Sequence, residues 1–232
     1  MGYSMKRFKR IFILFYFLAF QINGQDSTKK IYQFSKIETV PNLSFFNQVY
    51  TGLDILEQMD FKPIKNKSIA ILTNQTAINR NEKHILDLIK EAKDINVSFV
   101  LSLEHGVWGI DDKRAKMIGR EQVDPVHRAP IIDLFNTYLY PPHWVMNKID
   151  LLLVDYQHTG SRFATYTATM SKVFEAASNH KVPVMVLDRP NPIRGDVVDG
   201  PLPRTDFQSF ESYHLFPIRH GLTNGEIALL IN

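Results

Sequence analysis

Four short apolar runs, each followed at once by polar residues, constrain the fold of this 232-residue chain more than any other feature of its sequence. The runs cover residues 68–73, 97–103, 149–154 and 182–187. Because they lack apolar–polar alternation, they are typical of strands that are buried on both faces, as in parallel sheets. Apolar residues recur with helical spacing in the intervening segments 85–92 and 170–177. Strands that alternate with amphipathic helices predict an α/β fold with a parallel sheet flanked by helices.

Two further helices are predicted outside these runs. One covers residues 46–59, and the other covers residues 224–231. The second follows Thr223, and Glu226 comes three residues later, which is the signature of a capping box. The segment 107–148 contains several prolines and is predicted to be rich in loops.

The segment 1–24 predicts an export signal. Its Lys and Arg residues precede an unbroken apolar run over residues 11–20, which is shorter than the roughly 20 apolar residues of a membrane span. Cleavage would leave no stable membrane insertion, whereas retention would make the segment an N-terminal anchor. We expect a periplasmic or secreted protein, with a polar leader over residues 25–45 and a domain over residues 46–232.

The composition excludes several classes of protein. The chain has no Cys, which excludes a disulfide framework, a Cys-ligated metal centre and thiol catalysis. Its formal net charge of +3 comes from the basic residues of the predicted export signal. The rest of the chain has no excess of positive charge, so no nucleic-acid partner is expected. The sequence lacks a glycine-rich nucleotide-binding motif, a G-x-S-x-G elbow and an H-E-x-x-H helix, so it predicts no cofactor.

Polar side chains gather after all four apolar runs. In an open parallel sheet the carboxyl ends of the strands share one edge, and ligands bind outside that edge. A single Asp or Asn at such a position more often belongs to a turn, but four ends with functional side chains together predict a polar pocket. The candidates are Asn74 after the first run, Glu104 and His105 after the second, Asp155, Gln157, Arg162 and Tyr166 after the third, and Asp188, Arg189 and Asn191 after the fourth.

The best candidate for acid catalysis is Glu104. A carboxyl group that directly follows a strongly apolar strand is partly desolvated, which suits a general acid. The alternative is a structural carboxylate that is bonded to loop amides. For the adjacent His105, a proton relay, an orienting donor and a simple loop histidine remain open.

The two aspartates at the strand ends have several possible roles. Asp155 and Asp188 each suit a nucleophile or a base, and each suits an ion pair that orients Arg162 or Arg189. The two arginines can also clamp a ligand carboxylate with a bidentate fork. Structural ion pairing is the expected role of at least one of the aspartates.

The remaining candidates suit the binding of sugars. The side-chain amides of Asn74, Gln157 and Asn191 both donate and accept, as sugar hydroxyls require. Tyr166 suits stacking on a sugar face, although a core role fits it equally well. A metal site from Asp155 and the histidines His105, His158 and His220 is a further alternative, and it would make the protein a metal-dependent hydrolase.

The motifs around these residues occur in the order found in one family. They are Leu72–Thr76, Glu104–Gly106, Asp155–Phe163, Thr165 with Tyr166, Val186–Pro192, Asp199–Pro201 and His220–Thr223. Over residues 48–232 the chain resembles the NamZ-type exo-β-N-acetylmuramidases. The resemblance implies a Rossmann-like catalytic domain, followed in the family by a smaller second domain. It also implies release of N-acetylmuramic acid from the non-reducing ends of peptidoglycan fragments.

The resemblance assigns residues only in part. It places the family's candidate acid on Glu104 and makes His220 a candidate for substrate binding. The chain departs from the family at His158, where the family has Asp. Because the sequence stops at Asn232, inside the last predicted helix, the resemblance also implies a truncated fragment or a degenerate copy that lacks the second domain.

Two points of mechanism and one of function stay open. Glycoside hydrolysis normally uses two carboxyl groups, or one with a substitute, so the partner of Glu104 is Asp155, Asp188 or the substrate's own N-acetyl group. Muramic acid carries a lactyl carboxylate, which Arg162 or Arg189 would clamp. A domain that binds muropeptides without cleaving them is the alternative function, and the replacement at His158 favours it.

Overall fold

The computed structural model describes residues 49–109 and 123–232, together with the backbone of residues 11–14. The strands in these residues are β1 (Ile11–Leu14), β2 (Lys67–Thr73), β3 (Ile95–Ser102), β4 (Ile131–Asp133), β5 (Leu151–Asp155) and β6 (Val184–Leu187). The α-helices are α1 (Gly52–Gln58), α2 (Ile85–Glu91), α3 (His143–Met146), α4 (Tyr166–His180) and α5 (Asn224–Ile231). Two 3₁₀ turns lie at Lys62–Ile64 and Thr205–Phe207.

The strands form one parallel sheet in the order β1-β6-β5-β2-β3-β4. From the central β2 the chain moves outward through β3 to β4, and it then returns to the other side of β2 to form β5 and β6. The direction of winding therefore reverses between β2 and β5. Such a reversal opens a crevice at the carboxyl ends of the two strands, where open α/β sheets bind ligands. The predicted parallel α/β sheet with flanking helices is confirmed.

Apolar side chains fill both faces of the sheet. On β5, Leu152 and Val154 join a cluster that includes α4 and α5, while Leu151 and Leu153 join a second cluster that includes α1 and α2. Successive side chains of a strand point to opposite faces, so a strand covered on both sides must be apolar at every position. This packing explains the unbroken apolar runs in the sequence.

The predicted elements match the observed ones closely where the capping residues are clear. The helix predicted over residues 46–59 begins at Gly52, because Thr51 and Asp54 form a capping box there; residues 46–48 lie outside the described residues. The predicted capping box at Thr223 and Glu226 is confirmed at the start of α5.

The segment predicted to be rich in loops contains two short elements. Residues 131–133 form β4 at one edge of the sheet, and residues 143–146 form α3. Each is too short to show a periodic pattern of apolar residues, so neither could be predicted from the sequence. Residues 110–122 lie outside the described residues.

Part of the predicted export signal pairs with the sheet. Residues 11–14 form β1, which runs parallel to β6. The rest of the signal and the leader over residues 25–45 lie outside the described residues, and export remains a prediction. Within the described residues no helix is both long enough and apolar enough to cross a bilayer.

Candidate active site

The predicted pocket residues lie along the carboxyl edge of the sheet, on both sides of the crevice between β2 and β5. Asn74 directly follows β2, and Glu104 lies two residues beyond β3. Asp155 is the last residue of β5, and Asp188 directly follows β6. The sheet order therefore brings the polar ends of four parallel strands to one edge, as the sequence predicts.

The half-buried Glu104 is held by a residue from another element. Thr165 Oγ1 donates a hydrogen bond of 2.6 Å to Glu104 Oε2, and Thr165 itself is only 4% exposed. No other hydrogen bond to the Glu104 carboxyl group occurs in the described residues, so Oε1 remains open. No role for Thr165 is predicted from the sequence. Thr165 lies five residues before the segment 170–177 with helical spacing, and a threonine ahead of such a segment predicts a helix cap.

Tyr166 and Asn74 lie beside Glu104. Burial raises the pKa of the Tyr166 phenol, the Asn74 side chain lowers it, and the charge of Glu104 raises it. Asn74 and Tyr166 interact electrostatically but form no hydrogen bond by geometry. Buried Asn74 Nδ2 has no hydrogen-bond partner in the part of the chain described. The Tyr166 ring packs edge-on against Tyr156, with the ring centroids 5.5 Å apart. Glu104, Tyr166 and Asn74 thus form one polar group.

Asp155 is committed to a buried ion pair. Arg189 Nε donates to Asp155 Oδ1 at 2.6 Å, and Arg189 Nη2 donates to Asp155 Oδ2 at 3.1 Å. Nη2 also donates to the carbonyl oxygen of Ile78 at 3.0 Å. Burial opposes the charge of Arg189, but the charge and hydrogen bonds of Asp155 outweigh it and raise the pKa of the guanidinium. Among the roles left open for Asp155, this geometry favours ion pairing.

Asp188 is committed to the start of α5. Its Oδ1 accepts hydrogen bonds from the backbone nitrogens of Arg189 and Gly225, at 2.9 and 2.6 Å. Its Oδ2 accepts a hydrogen bond of 3.0 Å from Thr223 Oγ1. Burial raises the pKa of Asp188, and the hydrogen bonds from Gly225 and Thr223 lower it. A carboxylate at a helix N-terminus also complements the helix dipole, so Asp188 fastens α5 to the end of β6.

The predicted sugar-binding amides mainly brace loops. Gln157 Nε2 donates to the carbonyl oxygens of His158 and Pro190. Asn191 Nδ2 donates to the carbonyl oxygens of Gly160 and Leu222. Each amide therefore joins two loops at the carboxyl edge, and its predicted contact with substrate remains a prediction.

The side chains of Arg162 and His105 differ in how far hydrogen bonds to the protein hold them. Arg162 Nη1 donates to the carbonyl oxygens of Pro201 and Phe216, at 2.9 and 2.5 Å, whereas no bond to its Nε or Nη2 occurs in the described residues. His105 is exposed and has a left-handed backbone, with φ of 69°. Arg162 is thus anchored with part of its fork open, and His105 lies on the surface of the loop after Glu104.

Two buried histidines, His158 and His220, lie together below this edge, with ring centroids 5.4 Å apart. The backbone nitrogen of Gly160 donates to His158 Nδ1, and that of Leu222 donates to His220 Nδ1. A neutral imidazole that accepts at Nδ1 carries its proton on Nε2, where a metal would need the lone pair. The alternative of a metal cluster with Asp155 is therefore disfavoured, and no group of three or more ligating side chains forms within residues 49–109 and 123–232.

Acid is expected to destabilise the fold through His158. Burial and the neighbouring His220 lower the pKa of His158 from 6.5 to about 3. His158 therefore binds a proton near pH 6.5 in the unfolded chain, but only near pH 3 in the folded chain. Between these two values protonation favours the unfolded chain, so the free energy of unfolding falls as the pH drops. Replacement of His158 by Asn should reduce the slope of the free energy of unfolding against pH by up to about 1.4 kcal/mol per pH unit.

Urea unfolding of the wild type and His158→Asn at several values between pH 7 and pH 4.5 measures this difference. Only the slopes are compared, so a constant loss from repacking drops out. Parallel curves for the two proteins would contradict the assignment of the acid sensitivity to His158.

Comparisons with known proteins agree on one family. The family model described as the N-terminal part of the exo-β-N-acetylmuramidase NamZ matches residues 69–232. The peptidoglycan β-N-acetylmuramidase NamZ of Bacillus subtilis (strain 168) is 35% identical over 185 residues, which cover 80% of this chain and 44% of that protein.

Two solved structures of DUF1343 family proteins from Bacteroides fragilis NCTC 9343 share the fold. The first has a TM-score of 0.70 at 32% identity and covers 79% of this chain and 45% of its own. The second has a TM-score of 0.66 at 34% identity and covers 80% and 47%. The chain therefore spans less than half the length of each of these relatives.

Proposed function

Because the chain belongs to the NamZ exo-β-N-acetylmuramidase family, whose N-terminal domain it matches, we propose that it is a glycoside hydrolase of peptidoglycan fragments. Its substrate would be a saccharide with N-acetylmuramic acid at the non-reducing end, and it would release that residue. The observation that carries the proposal is Glu104, a half-buried carboxyl group two residues beyond β3 with one oxygen held and the other open.

Glu104 would act as the general acid. The open Oε1 carries the proton, while Oε2 accepts the hydrogen bond of Thr165. As the bond between the anomeric carbon and the glycosidic oxygen breaks, the proton moves to that oxygen, so the leaving sugar departs as a neutral alcohol. Glu104 is then a carboxylate and takes a proton from the water that completes the hydrolysis.

The partner of Glu104 would be the substrate's own N-acetyl group. Asp155 has both oxygens bonded to Arg189, and Asp188 has both oxygens bonded at the start of α5. Neither carboxylate is open for attack on an anomeric carbon. Attack by the acetamido oxygen forms a cyclic oxazolinium ion, and water then opens it. Two successive inversions give net retention, which NMR of the first-formed anomer would detect.

Arg162 is the better of the two predicted clamps for the lactyl carboxylate. Arg189 is buried and paired with Asp155, whereas Arg162 uses only Nη1 for its side-chain hydrogen bonds within the described residues. The open nitrogens of an anchored guanidinium bind a carboxylate at a low entropic cost. Arg162 would therefore distinguish muramic acid from glucosamine, which lacks the lactyl group.

The function is tested with a pair of chromogenic glycosides, an N-acetylmuramide and an N-acetylglucosaminide. We expect hydrolysis of the muramide, with kcat/KM at least about tenfold higher than for the glucosaminide, because one charge-assisted pair contributes about 1.5 kcal/mol or more. Arg162→Met should remove this preference by lowering kcat/KM for the muramide alone. Arg204→Met, at an exposed arginine paired with Asp206, is the matched control. Equal losses on both glycosides would reject the clamp.

A domain that binds muropeptides without turnover is the second candidate function. The commitment of Asp155 and Asp188 to protein contacts favours it, as does His158 at a position where the family has Asp. Calorimetric binding of muropeptides without any released sugar would support this candidate over hydrolysis. For either function we propose that the protein acts outside the cytoplasm, which fractionation of cells that express the full sequence would test.

A further inference from the structure

The N-terminus of α4 uses its threonine differently from the other helices that begin with one. Thr51 and Thr223 precede α1 and α5, have extended backbones with ψ of 164° and 168°, and accept hydrogen bonds from backbone amides of the first turn. Thr165 precedes α4 but has a helical backbone, with ψ of −11°, and its side chain makes no capping bond. Its hydroxyl proton points instead to Glu104 Oε2, 61 residues away in the sequence.

We propose that Thr165 is a positioning residue that fixes the orientation of the Glu104 carboxyl group. In its catalytic consequence the proposal rests on the proposed function, whereas the contact itself does not. A threonine that capped the helix would stabilise α4 and leave Glu104 free to rotate. The hydroxyl of Thr165 makes no capping bond. It holds one carboxylate oxygen of Glu104 instead, which directs the other oxygen toward the crevice.

The backbone of Thr165, which carries this hydroxyl, is held in place by further hydrogen bonds. The backbone nitrogen and the hydroxyl of Thr169 both donate to the carbonyl oxygen of Thr165, at 3.0 and 3.3 Å. The next peptide is held by the buried Tyr156, whose hydroxyl donates to the carbonyl oxygen of Tyr166 at 3.2 Å. A donor with so little freedom loses little entropy when it orients a partner, which is how supporting residues keep a catalytic group in its productive geometry.

Two consequences separate positioning from a general effect on folding. A poorly oriented acid slows proton transfer but leaves substrate contacts unchanged, so kcat falls while KM does not. Loss of a donor also disfavours the charged carboxylate, so the alkaline limb of the pH profile of kcat should move upward. Tyr166, whose own pKa is raised in part by the charge of Glu104, is present in all variants alike and so does not account for a difference between them.

The experiment compares Thr165→Val, Thr165→Ser and Ser171→Ala on the chromogenic N-acetylmuramide. Valine keeps the shape and removes the hydroxyl, so we expect kcat to fall about 10²-fold with KM within twofold. Serine restores the hydroxyl and should recover at least a third of the wild-type kcat. Ser171→Ala removes a hydroxyl from the same helix whose hydrogen bonds go to Thr167 and His214 rather than to Thr165 or Glu104, and it should behave as the wild type. Equal kcat for Thr165→Val and the wild type, or equal losses in Thr165→Val and Ser171→Ala, would overturn the proposal.

Crystal structures of the wild type and Thr165→Val give a readout that does not depend on turnover. We expect one orientation of the Glu104 carboxyl group in the wild type, and a rotated or divided one in the variant. If the wild type releases no sugar but Glu104 reorients, the proposed function fails and the positioning role stands. An unchanged Glu104 in the variant would refute the positioning role, whatever the activity.

Discussion

Glu104→Gln is expected to lower kcat on a phenyl N-acetylmuramide about 10³-fold while leaving the affinity for the muramide unchanged. Gln has the shape of the carboxyl group but has no acidic proton to give to the glycosidic oxygen, and general acid catalysis contributes roughly 10²- to 10⁴-fold. The bond from Thr165 does not depend on the charge, because the amide oxygen of Gln accepts it as well. The loss should therefore reflect chemistry rather than a collapsed site.

The leaving group makes this test sharper. A dinitrophenolate departs without protonation, so the dinitrophenyl glycoside should be hydrolysed by Glu104→Gln at close to the wild-type rate. The exposed Glu82 supplies the matched control, since Glu82→Gln should retain full activity on both glycosides. Equal losses on the phenyl and dinitrophenyl substrates would remove Glu104 as the acid and leave it as a binding residue.

Asp155→Asn is expected to lower the free energy of unfolding by about 3–5 kcal/mol, the usual cost of removing one partner of a buried ion pair. Asp155 is fully buried and Arg189 is 4% exposed, so the variant would leave a guanidinium charge with little access to water. This loss is a large fraction of the roughly 5–15 kcal/mol that stabilises an ordinary domain. Urea unfolding at pH 7 measures it.

The control for this prediction is an ion pair on the surface. Arg194 and Asp196 are each about two thirds exposed, and Asp196→Asn should change the free energy of unfolding by less than about 0.5 kcal/mol. The double variant Asp155→Leu with Arg189→Met should regain much of the stability, because it buries no unpaired charge. A loss below about 1 kcal/mol in Asp155→Asn, or a double variant as unstable as the single one, would show that the pair is not isolated from water.

The sheet and its ligand edge could be predicted because they follow from local patterns. An unbroken apolar run such as residues 149–154 predicts a strand covered on both faces, and parallel strands bring their carboxyl ends together. The partners of the polar residues could not be predicted in the same way. Two arginines follow the strands, and nothing in the spacing shows that Asp155 pairs with Arg189 while Arg162 binds the carbonyl oxygens of Pro201 and Phe216.

Thr165 shows the same limit more clearly. A threonine before a helix predicts a cap, and that expectation holds for Thr51 and Thr223. At Thr165 the backbone is already helical, which is a property of its tertiary surroundings rather than of its neighbours in the sequence. The contact with Glu104 therefore becomes visible only when the ends of β3 and α4 meet in space.

The reversal of winding beside β2 also determines when during synthesis a site can exist. Strand β2 can pair with β3 once both have left the ribosome, whereas its other neighbour β5 begins 82 residues after Ile69, the first residue of β2 that pairs with it. Closing a loop of that length is an entropic cost that must be met before any contact across it forms, and pairings so distant in sequence fold slowly. A nascent chain that ends before β5 would carry both Asn74 and Glu104, yet Thr165 would still be unsynthesised. The pairing of β2 with β5 and the contact between Thr165 and Glu104 can therefore form only late in synthesis.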